Sequence, residues 1–319
     1  MRLLTCAAVV TVILISGCSE TQQDDDAGNP INIAVAAAQI LSSDYFKGRE
    51  AGREGGQRAA DEIVRLIGNY SNFEPVRMNF AFSPERENEN RVGTNIILTI
   101  PGKTKKSKSV LVATAHYDHL GEVGLDIFNG ADDNASGVGG LFAIMQQFER
   151  KRPANTVVLV FLDAEEFKLQ GAKAFVRDYK PLKDKNLVNL NLDMIAQSQK
   201  GELYMAGAHH TPALKPIVKK AVKGIGLTLK FGHDRPEDGD NDWTSESDHG
   251  VFHAAGIPFV YLGVEDHEHY HKATDSFETL PIEFYKKSLK AAVSIARALD
   301  KNLAKIAKPL NTETQASTQ

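Results

Sequence analysis

Apolar residues recur at helical spacing over residues 31–41 and again over 54–67, with Gly52, Gly55 and Gly56 punctuating the approach to the second stretch. The pattern predicts two helices. Short apolar runs at 95–100 and 110–115 are separated by Pro101-Gly102 and a basic, turn-like segment at 103–109, which predicts neighbouring strands of one sheet joined by a solvated turn. A helix over 136–150, a strand over 156–162, a helix near 168–179 and a strand over 187–192 follow. Beyond residue 200 the pattern predicts a helix at 211–224, a short strand around Leu227, an acidic loop at 237–242, a helix at 249–255, a strand at 257–263 and a long helix over 281–305. This alternation of strand and helix predicts an α/β fold, a three-layer α/β/α sandwich with a mixed, largely parallel central sheet. Ligands of such sheets bind beyond the carboxyl ends of the strands.

The composition is that of an ordinary globular chain: 319 residues, 42% hydrophobic, with a formal charge of −4 and no basic stripe of the kind nucleic acid requires. The amino terminus differs from the rest. Arg2 precedes an apolar stretch at 3–15, shorter than the roughly 20 residues that span a bilayer. The stretch closes on Ile15-Ser16-Gly17-Cys18, which resembles the lipobox of bacterial lipoproteins. That resemblance implies a signal peptide at 1–17, acylation of Cys18 as a lipid anchor and a polar tether over 18–28. A single catalytic domain is expected over 29–308, with a frayed Thr- and Gln-rich tail at 309–319. The expected location is the cell envelope, at the outer membrane facing the periplasm, since Ser19 and not Asp follows the cysteine. Cys6 would leave with the signal, so no thiol remains for nucleophilic catalysis or a disulfide.

The chemistry gathers at predicted strand ends. His116-Tyr117-Asp118-His119 follows the 110–115 strand, and an imidazole there with a carboxylate two residues on suits a metal ligand oriented by an acceptor behind it. Asp132 and Asp133 lie in a small-residue loop directly before a helix, where isolated carboxylates would serve as caps. Asp163-Ala164-Glu165-Glu166 ends another strand and Asp193 a third. Carboxylates brought to one sheet edge repel one another unless a cation lies between them, and the admixture of histidine, including His267, His269 and His271, favours Zn²⁺ over Mg²⁺ or Ca²⁺. The number of ligands suffices for two ions. Strand alternation would place the three late histidines on one face and does not choose among them. The acidic loop Asp238-Gly239-Asp240-Asn241-Asp242-Trp243 begins like a calcium loop, but Trp243 and His249 stand where Gly and Glu are needed. His209 and His210 have no carboxylate partner in any motif and are expected at the surface.

In order and spacing, residues 116–119, 130–137, 163–166, 191–193 and 271–275 resemble the dizinc aminopeptidase family that also contains plasma glutamate carboxypeptidases and glutaminyl cyclases. Residues 41–56, with Gly-Arg-Glu-Ala-Gly, and Ser247-Asp248-His249 before Gly256-Ile257-Pro258 resemble its exported bacterial branch. The resemblance implies two Zn²⁺ ions, other divalent ions being acceptable to the same ligands, and peptide substrates. Asp133 would bridge both metals, with a cis peptide following it, His116 and Asp193 completing one site and Glu166 and His271 the other. Glu165 would act as general base on the metal-activated water, and Asp118 would accept the remaining ring N–H of His116. Tyr270 would help hold developing oxyanion charge, while Asp248, His249 and Trp243 would lie near the substrate or behind the ligands. The resulting expectation is a zinc-dependent exopeptidase, most simply an aminopeptidase. Cyclase, carboxypeptidase or dipeptidase activity on the same scaffold, or a non-catalytic binding lipoprotein, are the alternatives.

Overall fold

The segment Thr156–Leu162 is apolar at successive positions and not at alternate ones, a pattern that requires cover on both faces. In the computed structural model, which describes residues 29–84, 89–104 and 107–309, it is an interior strand of a nine-stranded sheet. The signal segment, Cys18, the tether to residue 28 and residues 310–319 lie outside the described residues.

In chain order the elements are α1 (Pro30–Leu41), α2 (Glu54–Tyr70), β1 (Val76–Phe82), β2 (Arg91–Ile100) and β3 (Ser109–His116). A small hairpin, β4 (Gly121–Val123) and β5 (Asp126–Phe128), precedes α3 (Gly137–Arg150), β6 (Thr156–Leu162), α4 (Gln170–Asp178) and β7 (Asn186–Leu192). Then come β8 (Glu202–Ala206), α5 (Leu214–Ala221), β9 (Thr228–Phe231), α6 (His249–Ala254), β10 (Phe259–Gly263), α7 (Ile282–Ile306) and β11 (Lys308–Pro309). The strand order is β1-β2-β6-β3-β7-β10-β8-β9, with β11 added to β7. The four middle strands, β6, β3, β7 and β10, are mutually parallel, while β2 against β6 and β8 against β10 are antiparallel.

Alternation along the strands builds two cores. Leu111, Ala113 and Ala115 of β3 join Leu159 and Phe161 of β6 against α1, α2, α3 and α7, whereas Val110, Val112, Val158 and Val160 meet Phe175 of α4 and Phe252 of α6. This is the expected three-layer sandwich. Because β3, β6 and β7 run parallel, their carboxyl ends share one edge, and that edge carries residues 116–119, 163–166 and 193.

The structure corrects several expectations. β2 and β3 belong to one sheet but are not neighbours, because β6 is inserted between them. β1, β8 and the small hairpin were not predicted. The pattern at 211–224 forms a helix only over Leu214–Ala221, since Thr211 and Pro212 are spent in a turn and Val222 to Gly226 in another. The segment from His267 to His271 is a series of turns and not a strand, so its histidines point in different directions.

Close helix packing against the sheet edge depends on Gly139 in α3. A Cβ there would run into the Tyr285 hydroxyl and lie 2.6 Å from the Ala34 carbonyl oxygen, and that same hydroxyl donates to the Ser136 carbonyl at 2.8 Å. Gly139→Ala is expected to lose about 1–3 kcal/mol in urea unfolding despite its better helix propensity. A stabilised variant would contradict this packing.

Candidate metal centre

A fully buried arginine organises the loops that carry the acidic residues. Arg49 Nε donates to the Tyr117 carbonyl at 2.7 Å, Nη1 to Leu41 and Asn129 at 2.9 and 2.5 Å, and Nη2 to Gly130 and Asp133 at 2.9 and 3.5 Å. One planar fork thereby ties together the ends of β3 and α1 and the start of the Asp133 loop. Burial lowers its pKa to about 10, opposed by Asp133, Asp275, Asp118 and Glu166, so it remains a cation at neutral pH.

The loop itself, residues 131–136, has every polar side chain but one committed to the protein. Asp132 accepts from the amides of Ala196 and Gln197 at 2.7 and 3.1 Å, and Ser136 Oγ accepts from Ile195 at 3.0 Å. Asn134 donates to the Leu192 carbonyl at 2.9 Å and accepts from Met194 at 3.2 Å. Asp275 accepts from the amides of Asp132 and Asp133, at 3.0 Å for the latter. These bonds fasten the loop to the end of β7, beside Asp193. The Asp133–Asn134 peptide is cis.

Asp133 is the exception, and its two oxygens face two different groups. Oδ1 lies 3.4 Å from His116 Nε2, which is itself 3.3 Å from Asp193 Oδ1. Oδ2 lies 3.3 Å from His271 Nε2 and 3.6 Å from His119 Nδ1, which is 2.8 Å from Glu166 Oε1. Two sets of donor atoms, from His116, Glu165 and Asp193 and from His119, Asp133 and Glu166, each fall within 4.8 Å of one another. Donors about 2.0–2.1 Å from a tetrahedral zinc stand roughly 3.3 Å apart, so this mixture of imidazole and carboxylate fits a zinc pair.

The electrostatics match a site built for cations. Burial disfavours charge on Asp133, yet His119, His116 and His271 hold its pKa well below the ordinary carboxylate value. Glu165 is pushed well above that value, chiefly by burial and further by Glu166, Asp248 and Asp193. His116 is raised well above the usual imidazole value because Asp193 and Glu165 outweigh its burial.

Comparison with known proteins agrees with this geometry. A profile described as peptidase family M28 matches residues 95–296. The chain belongs to that family. A vacuolar membrane protease of Lachancea thermotolerans is 30% identical over 167 residues, which is 51% of this chain but 16% of the relative, so the chain spans only a small part of that protein. A zinc aminopeptidase from Bacillus subtilis superposes with a TM-score of 0.67 at 17% identity, covering 82% of this chain and 94% of the other. A glutaminyl cyclase from Bacteroides thetaiotaomicron gives 0.67 at 16% identity, covering 84% and 97%.

Of the residues expected in this M28 site, the structure brings together His116, Asp133, Glu165, Glu166, Asp193 and His271. Asp132 is turned away from the donors, with its Oδ2 3.2 Å from His267 Nε2, and His269 Nδ1 meets Thr274 Oγ1 at 3.1 Å. Asp118 differs from expectation. Its carboxylate is 3.6 Å from His116 Nδ1, beyond a hydrogen bond, while its own carbonyl oxygen is at 3.2 Å. The carboxylate instead accepts from the amides of Glu165 and Glu166, at 3.0 and 3.3 Å, and so shapes the turn that presents both. Asp163 is directed to β2, accepting from Thr94 at 2.8 Å, and burial with Asp118 pushes its carboxyl up to about 7.

Tyr270 stacks on His271 with ring centroids 3.8 Å apart. Trp243 stacks on His233 at 3.8 Å and meets Tyr261 edge-on, and the Tyr261 hydroxyl lies 3.4 Å from the Asp193 carbonyl. His249 Nε2 donates to the Trp243 carbonyl at 2.7 Å, while burial lowers its pKa to about 4 and keeps it neutral. Asp248 is buried with neither oxygen hydrogen-bonded, and burial, then Asp193 and Asp118, pushes its pKa up to about 8 against the influence of His116. His209 and His210 are exposed, as expected.

Sequence reasoning missed two contributors, Arg49 and His119. Both stand inside motifs that it had singled out. If Arg49 organises the loops as described, Arg49→Ala should cost the metal-free protein about 3–5 kcal/mol in denaturant unfolding, because several buried carbonyls lose their donor at once. Arg49→Lys should recover only part of that loss. A cost for Arg49→Ala below about 1 kcal/mol would contradict the role.

Proposed function

We propose that the protein is a zinc-dependent exopeptidase, and within that class an aminopeptidase that removes N-terminal residues from peptides. The observation that carries this reading is the pair of adjacent donor groups sharing Asp133 in a member of a peptidase family. When bound, two zinc ions polarise the scissile carbonyl and bring the pKa of a water toward neutrality.

The chain's own residues then have distinct tasks. Asp133 offers one oxygen to each position. His116 and Asp193 would hold an ion at the first, and Glu166 and His271 one at the second. Glu165 stands beside His116 and Asp193, and its raised pKa suits a group that takes a proton from water and returns it to the leaving amine. Asp118 fixes that carboxylate's turn through two amides. Tyr270, its phenol raised by burial and by Asp133 and Asp193, stays a neutral donor for negative charge developing on the substrate oxygen. Asp248 and His249 lie buried behind Asp193, with Trp243 packed beside them, so their part is to support that ligand.

A free amino terminus is favoured over a free carboxylate by the surrounding charge. Outside the groups that would hold metal, the acidic neighbour of both Tyr270 and His271 is Asp266, which attracts an ammonium and repels a second carboxylate. The second donor group supports hydrolysis over cyclisation, which needs only one zinc.

With a panel of peptides bearing free or acetylated N-termini, zinc-dependent release of amino acids from the free set alone is expected. Release from neither set would overturn the reading. Glu165→Gln should keep both metals and lower kcat by roughly 10²–10⁴, the usual contribution of a general base.

Lipid anchoring through Cys18, with the enzyme held at the outer membrane facing the periplasm, belongs to the same proposal and is supported by the lipobox-like Ile15-Ser16-Gly17-Cys18. Among the described residues no helix is long and apolar enough to cross a membrane. In a bacterial host, the full chain should take up an alkynyl fatty acid and sediment with membranes, and Cys18→Ala should do neither. Labelling that persists in Cys18→Ala would contradict the anchor.

A further inference from the structure

His119 has no role in the ligand set that the motifs imply, yet its position is that of a ligand. Its side chain is fully buried, with Nδ1 2.8 Å from Glu166 Oε1 and 3.6 Å from Asp133 Oδ2. Nε2 is buried with no hydrogen-bond partner, so the ring is not held by a polar contact on its far side. Backbone geometry brings it there. The His119 amide donates to the Arg49 carbonyl at 3.4 Å, and Gly130, with a φ of 51°, leaves room for the ring where a Cβ would come within 2.6 Å of its Cδ2.

We propose that His119 is a protein ligand of the second metal position, which makes the two positions unequal. With His119 that position has four protein donors: Asp133 Oδ2, Glu166, His271 and His119. The first has Asp133 Oδ1, His116 and Asp193, with Glu165 beside them. Four protein ligands are the number that structural zinc sites use, so an ion held by them would meet a shared water or substrate only by expanding to five-coordinate, whereas three leave a position open for either. The second position therefore holds its ion tightly and exchanges it slowly, and the first is the labile one at which substrate is met. A ring that only oriented Glu166 through a hydrogen bond would not produce this inequality.

The inference rests on the two-metal reading of the site and not on which bond is cleaved, so its test measures metal and not turnover. The full chain, His119→Ala and His119→Gln are stripped, reloaded with Zn²⁺ and dialysed against a competing chelator of moderate strength. Bound zinc is then counted and its affinity measured by competition. The unsubstituted protein should retain one equivalent and bind a second more weakly. Both variants should lose the retained equivalent, with affinity falling by more than the roughly 10–100-fold that loss of an orienting partner produces. In the Co²⁺-loaded proteins the visible absorption of the tight site should change with the loss of an imidazole.

Equal retention in His119→Ala would overturn the proposal. So would full rescue by His119→Gln, whose amide can still donate to Glu166, because that would assign His119 to orientation alone. Circular dichroism establishes folding, and His119→Gln carries the test if His119→Ala does not fold. Failure of the unsubstituted chain to bind zinc at all would instead count against the two-metal reading.

Discussion

Asp118, Asp133, Glu165, Glu166, Asp193 and Asp248 converge on the carboxyl edge of four parallel strands, and the architecture around them is organised to tolerate that crowding. Donor atoms within each of the two groups lie within 4.8 Å of one another. At an effective dielectric of 20, two unit charges that close repel by about 3–4 kcal/mol. The two carboxylate pairs among them, Glu165 with Asp193 and Asp133 with Glu166, would together consume much of the 5–15 kcal/mol that holds a domain together. Neutralisation comes from three imidazoles, from Arg49 behind the loops and from the metals that the remaining charge invites. The same excess of negative charge gives the site its chemistry, since it draws cations to one place and adds to the burial that chiefly raises the pKa of Glu165.

The scaffold supplies the precision this needs. Two of the acidic motifs pair a residue at the metal positions with one turned inward: Asp132 beside Asp133 binds the amides of Ala196 and Gln197, and Asp163 near Glu165 binds that of Thr94. These inward-turned carboxylates, with Asn134, Ser136 and Asp275, take up backbone groups that a loop at a strand edge would otherwise leave unpaired. Packing serves the same end. Gly139 lets α3 approach α1 and α7 closely, and the Tyr285 hydroxyl that fills the gap binds the Ser136 carbonyl at the end of the acidic loop. Core, loop and site are one connected structure.

Much of this was legible in the sequence, for identifiable physical reasons. β3 and β6 are apolar at nearly successive positions, β7 alternates leucine with buried asparagine, and three strand ends carrying acids or histidine point to a site at that edge. β1 was not legible because only Phe80 and Phe82 of its residues are buried, with Met78 half-buried beside them and the rest exposed, as at a sheet edge. β8 has only five residues. His267, His269 and His271 were assigned to one face by strand alternation, but turns govern that segment, and only the motif context selected His271. Asp132 and Asp133 are the same residue type, so chemistry could not separate them, whereas the hydrogen bonds of the folded loop do. Arg49 binds backbone carbonyls, which leave no mark in a sequence, and His119 meets Glu166 across 47 positions of chain.

The central claim is that two metals sit between these carboxylates, sharing Asp133. Anomalous diffraction from crystals of the zinc-loaded protein, recorded on both sides of the zinc edge, tests it most directly. The account predicts two difference peaks on either side of the Asp133 carboxylate, one against His116 and Asp193, the other against His119, Glu166 and His271. A single peak at full loading, or peaks away from Asp133, would contradict it.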